Sequence, residues 1–145
     1  MSFELTMAAA AILLGIVQVV LTAIELRRVH GVAWANSARD TDSGKTDTPL
    51  LGRLRRAQAN LMETLPFFVG LILIVQIAGL NSSLTANAAL AFVAARVLHL
   101  PLYAFGVPWL RGLVWTVSFI ALCVIAYAVL AAGIWNPGAE ASANY

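Results

Sequence analysis

The chain has 145 residues, of which 61% are apolar and 11% charged, with nine Lys and Arg against seven Asp and Glu. Ordinary globular chains carry roughly 45–50% apolar and about 25% charged residues. So few ionisable groups cannot cover a water-exposed core, which excludes a soluble domain, a nucleic-acid module and a disordered chain. What remains is an integral membrane protein, whose outer face is solvated by lipid. The single Cys123 excludes a disulfide framework and a cysteine-based zinc site, and no metal is expected.

Four apolar stretches follow in chain order, at about 5–26, 54–80, 84–105 and 109–135. Each is long enough to cross a hydrocarbon core of roughly 30 Å at about 1.5 Å per residue. They predict a single domain over 1–145, an all-α bundle of four transmembrane helices. The first stretch reads as a span rather than a cleavable signal, because Glu4 stands where a basic region belongs and the apolar run is long. Residues 36–49, with Ser, Asp, Gly and Thr, predict a flexible loop. Asn81-Ser82-Ser83 predicts a tight turn, with Asn81 or Ser83 capping the third helix, and Gly106-Val107-Pro108 ends that helix. From Asn136 onward the composition predicts a frayed tail.

The basic residues orient the bundle. Arg27, Arg28, Arg39, Lys45, Arg53, Arg55 and Arg56 lie in or beside the first loop, and Arg111 lies beside the third. The second loop and both ends of the chain hold no Lys or Arg. By the positive-inside rule, loops one and three face the cytoplasm and both termini face the other side of an inner, cytoplasmic membrane. Arg27 and Arg28 are expected to reach lipid phosphates, and Trp34, Trp109 and Trp135 to anchor the interfaces.

Charged residues inside a span cost at least a few kcal/mol, so each calls for a partner or a purpose. In the second helix Arg56, Asn60 and Glu63 are spaced i, i+4, i+7 and share a face, which Arg53 extends by a turn. In the third helix Arg96, His99 and Tyr103 are spaced i, i+3, i+7 and again share a face. Arg111 opens the fourth helix. By depth, these groups converge on one polar cavity near the cytoplasmic interface. The competing reading is interhelical glue, in which the same groups fix packing and bind nothing. Four arginines against one or two carboxylates leave surplus positive charge, which favours an anionic ligand.

The segment Arg56-Ala57-Gln58-Ala59-Asn60-Leu61-Met62-Glu63-Thr64-Leu65-Pro66 resembles the signature of the MAPEG superfamily, the membrane-associated proteins in eicosanoid and glutathione metabolism. Ala95-Arg96-Val97-Leu98-His99, then Tyr103 and Arg111, resembles the family's third-helix motif and its following arginine. The resemblance implies a homotrimer that holds glutathione between protomers near the cytoplasmic side. It also implies that Arg111 stabilises the glutathione thiolate and that Tyr103 contacts the ligand. Arg53, Arg56, Gln58, Asn60, Glu63, Arg96 and His99 are then the glutathione-binding set. Ala59, Gly112 and Trp115 depart from the prostaglandin-forming members, which carry arginine, serine and tyrosine there.

The leading expectation is therefore a membrane-bound, glutathione-dependent transferase or peroxidase acting on lipophilic electrophiles that partition from the bilayer. The alternative is a non-catalytic protein of the same fold, a structural or lipid-binding subunit of a larger membrane complex. A proton-coupled exporter of cationic drugs, using Glu63, is disfavoured by the surplus of arginines.

Overall fold

Each long helix up to α4 is opened by a side chain that accepts from its first turn. Ser2 Oγ accepts from Leu5 N at 3.3 Å and opens α1 (Phe3–His30), which stops at Gly31, φ 89°. A single turn, α2 (Val32–Ala35), follows. Thr48 Oγ1 accepts from Leu51 N at 3.2 Å and opens α3 (Pro49–Ile77), with proline in the first turn, where its missing N–H costs nothing. Ser82 opens α4 (Ser83–Phe105) through a reciprocal capping box with Thr85, and Gly106 closes it in the left-handed conformation. Neither Asn81 nor Ser83, but the residue between them, is thus the cap. The last helix is α5 (Pro108–Trp135).

The computed structural model describes residues 1–135. The frayed tail expected from Asn136, the Trp135 side chain and the side on which Tyr145 ends lie outside them. Helices α1, α3, α4 and α5 are each long and apolar enough to cross a membrane. The protein is an all-α, four-span membrane bundle. Helix α3 starts at Pro49, earlier than the apolar pattern suggests, because its first turns are amphipathic rather than apolar.

Helices α3 and α4 form the middle of the bundle, with α1 and α5 packed against both but not against each other. Polar contacts pin the ends. Thr85 Oγ1, in the first turn of α4, donates to buried Glu4 Oε1 at 2.8 Å, and Thr48 Oγ1, at the start of α3, donates to buried Glu25 Oε1 at 3.2 Å. Helix α1 therefore runs antiparallel to α3 and parallel to α4, and the basic loop and the α4–α5 corner share one end.

In lipid, packing rather than water exclusion draws helices together. Phe68 and Phe92 stack at 4.0 Å between ring centroids, within a core that includes Ala8, Ala11, Ile72, Ala89 and Ile125. The buried edge of α1 is Glu4, Ala8, Ala11, Gly15, Gln18 and Glu25, small residues in its first half and polar ones at either end, at heptad-like spacing. A Cβ on Gly15 would lie 2.9 Å from Met62 Cε, the mobile end of a long side chain on α3, so the Met62 methyl packs directly over this glycine. The opposite faces stay apolar and exposed, as at Leu13, Ile16, Leu113, Tyr127 and Leu130.

The first loop folds back on α1 through side chains. His30 Nε2 lies 2.6 Å from Asp47 Oδ1, His30 Nδ1 contacts Ser43 Oγ, and Arg55 pairs with the other oxygen of Asp47. Trp34 Nε1 donates to Thr41 O at 2.8 Å, and its ring packs 4.7 Å from that of His30.

Candidate functional site

A cavity of about 300 Å³ opens between α3, α4 and α5 and is lined by Asn60, His99, Tyr103, Arg111, Gly112 and Trp115. The helical spacing brings His99 and Tyr103 to one face of α4, where their rings meet edge-on at 5.2 Å. Arg111, one turn into α5, lies across from them with its guanidinium carbon 4.6 Å from the Tyr103 ring centroid. Gly112 contributes no side chain and leaves room beside Arg111. The Trp115 indole stacks on Phe119 at 5.3 Å, and its Nε1–H has no partner among the described residues. Among the described residues no carboxylate lines the cavity, so their electrostatic character is cationic and rich in hydrogen-bond donors.

The other residues expected at the site fall into three places. Arg96 lies behind the cavity, only 1% exposed, and its Nη1 donates to Asn60 Oδ1 at 2.6 Å. Arg53 turns to the end of α4, where Nη1 donates to Ala104 O at 3.2 Å and the guanidinium presses on Gly106. There it completes a helix C-terminus, whose free carbonyls favour a cation. Arg56 and Glu63 project from the exposed side of α3, and among the described residues neither forms an ion pair. An unpaired carboxylate on the lipid-side surface of a single protomer is costly.

Gln58 stands on a different face of α3. It lines a groove of about 430 Å³ between α1 and α3, together with Thr22, Leu26, Met62 and two cations, Arg39 and Arg55. This groove adjoins an apolar one lined by Ile12, Gly15, Ile16, Val20 and Leu65, with Val19 and Met62 common to both. Sequence reasoning assigned Arg39 and Arg55 only to the basic loop. Arg55 shares a helical face with Gln58, Ala59 and Met62, a spacing the sequence already showed, whereas the donation from Arg39 to Ala35 O that folds the loop cation back to the groove was not visible. Among the described residues no three His, Cys, Asp or Glu gather as a metal site.

The model of the MAPEG family matches residues 5–131, nearly the whole of the described chain. The chain belongs to the MAPEG family. No curated protein matches it as a relative. The family match spans all four long helices, so the cavity and the groove both lie within the MAPEG portion of the chain. The MAPEG family includes glutathione-dependent transferases and peroxidases as well as members without catalysis.

Proposed function

We propose that this MAPEG protein is a glutathione-dependent transferase or peroxidase acting on lipophilic electrophiles delivered from the bilayer, assembled as a homotrimer. The observation that carries the reading is a donor-lined cavity holding Arg111 against Tyr103, with no carboxylate in its wall among the described residues. Such a site suits a peptide with a net negative charge and free carboxylates. Thiol chemistry needs the thiolate, and a free thiol has a pKa of about 8.5, so a neighbouring guanidinium raises the reactive fraction near neutral pH.

In this reading Arg111 faces the sulfur and Tyr103 donates to it or to the oxygen that accepts charge as the electrophile opens. Asn60 and His99 hold the peptide, and Arg56 and Glu63 meet a neighbouring copy or its ligand. Gln58 fits the same scheme. Its groove lies across α3 from the cavity, so each copy presents one donor-lined wall in each direction, as a ring of identical protomers requires. The adjoining apolar groove gives a lipophilic partner a route along α1.

Calorimetric titration of detergent-purified protein with glutathione, followed by conjugation of an activated aryl halide, tests this. Saturable binding and turnover are expected. Absence of binding would reject the reading in favour of a non-catalytic membrane subunit, which one feature also favours: Gly112 supplies no donor beside Arg111.

A further inference from the structure

The contact between Arg96 and Asn60 has a chemical direction. A guanidinium has five N–H donors and no acceptor. Whatever lies 2.6 Å from Arg96 Nη1 must therefore be an acceptor, and the atom of Asn60 at that position is its carbonyl Oδ1, not its Nδ2. The amide of Asn60 cannot turn over without placing two donors face to face. Its Nδ2–H₂ donates to nothing among the described residues, and it is not among the buried polar atoms left without a partner. Asn60 meanwhile lines the cavity.

Arg96 itself does not line the cavity. It is 1% exposed, with Nε and Nη2 unpartnered and its guanidinium carbon 5.4 Å from the Phe92 ring centroid. A buried cation held this way is expensive unless it organises something. We infer that Arg96 is a positioning residue: it holds the Asn60 amide with its oxygen towards the bundle and its NH₂ towards the cavity, making a subsite that takes a carboxylate or carbonyl oxygen and refuses an ammonium group. This rests on the proposed glutathione reading only for the identity of the ligand, because the orientation of the amide follows from the protomer alone.

The substitution that separates the subsite from mere packing is Asn60→Asp. It is isosteric, keeps an acceptor for Arg96 and replaces the cavity-facing donor by an anion. Thermal midpoints of the purified protein, Asn60→Asp, Arg96→Met and the double variant give a cycle that needs no ligand. Asn60→Asp is expected to hold or raise the midpoint where Arg96 is present. In the Arg96→Met background it should lower the midpoint, because the carboxylate has lost its cation. Equal effects in the two backgrounds would overturn the inferred orientation. Glutathione calorimetry then reads the subsite: Asn60→Asp should weaken binding at least tenfold without loss of thermal stability, and Arg96→Lys should bind better than Arg96→Met. Unchanged binding in Asn60→Asp would overturn the donor subsite. If the unsubstituted protein binds no glutathione, the proposed function fails, and the melting cycle still decides the inference.

Discussion

The guanidinium carbon of Arg111 lies 4.6 Å from the centroid of the Tyr103 ring, so this arginine of the cavity wall is held against an aromatic face. A cation over an aromatic ring is attracted by about 0.5–2 kcal/mol, yet it keeps its N–H groups free for a ligand. A carboxylate partner would have occupied them.

Arg111→Ala should therefore act on turnover more than on binding. Losing a charge-assisted hydrogen bond of about 1.5–3 kcal/mol moves the thiol pKa of bound glutathione up by about one to two units. Ultraviolet thiolate absorbance against pH reads the shift. Arg56→Ala, which removes a cation remote from the cavity wall, should weaken binding first and leave the titration in place.

Tyr103→Phe and Tyr103→Leu separate the ring from its hydroxyl. Phenylalanine keeps the face on which Arg111 rests, so the thermal midpoint should hold while turnover falls about ten- to a hundredfold, the scale of one lost donor. Leucine removes the ring as well and should lower the midpoint too. Equal turnover in Tyr103→Phe and the parent would remove the hydroxyl from the mechanism.

Gly106→Ala should destabilise the corner between α4 and α5 by about 1–2 kcal/mol, because its φ of 74° suits glycine and disfavours L-residues. An added Cβ would also lie 2.7 Å from Arg53 Cζ. The second effect is displacement of Arg53 from Ala104 O, so Gly106→Ala should cost less in an Arg53→Ala background. Melting midpoints of the four proteins check this.

Asp47→Asn should release the first loop. One carboxylate holds both the buried His30 ring and the exposed Arg55, and an exposed pair such as Arg55–Asp47 contributes up to about 1 kcal/mol. Hydrogen exchange over residues 40–46 should quicken while the helices keep their protection. Unchanged exchange would mean that the Trp34–Thr41 contact alone carries the loop.

Four spans that alternate in direction bring the start of α1 and the end of α5 to one side, and with Arg27, Arg28, Lys45 and Arg111 clustered at the other, the positive-inside rule predicts that this other side is cytoplasmic. A reporter fused after Tyr145 should be active only in its non-cytoplasmic form.

Much of this bundle is legible before any coordinates. Length and apolarity alone demand four spans, and the i, i+3, i+7 spacing of Arg96, His99 and Tyr103 puts them on one face of α4. Helical spacing cannot say how deep that face lies, however. Arg96 is buried behind Asn60 while Tyr103, two turns on, lines the cavity. Arg53 illustrates a second limit. It shares a face of α3 with Asn60, but its long side chain reaches the carbonyl end of α4, and a partner from a distant segment is invisible to periodicity. Glu63 shows a third, since it shares a helical face with Asn60 in the sequence yet stands exposed on α3, with no ion pair among the described residues.

The two glutamates buried at the ends of α1 grip the first turns of two other helices, Glu4 through Thr85 and Glu25 through Thr48. They stand about six turns apart, roughly 31 Å at 1.5 Å per residue, close to the thickness of a hydrocarbon core. Helix α1 thus works as a ruler clamped at both ends. A slide of α3 or α4 by a single turn along it would strip a carboxylate of its hydroxyl inside the bilayer boundary. A bundle ruled in this way meets a thicker or thinner membrane by tilting as one body, with its helices kept in step and the cavity walls in register.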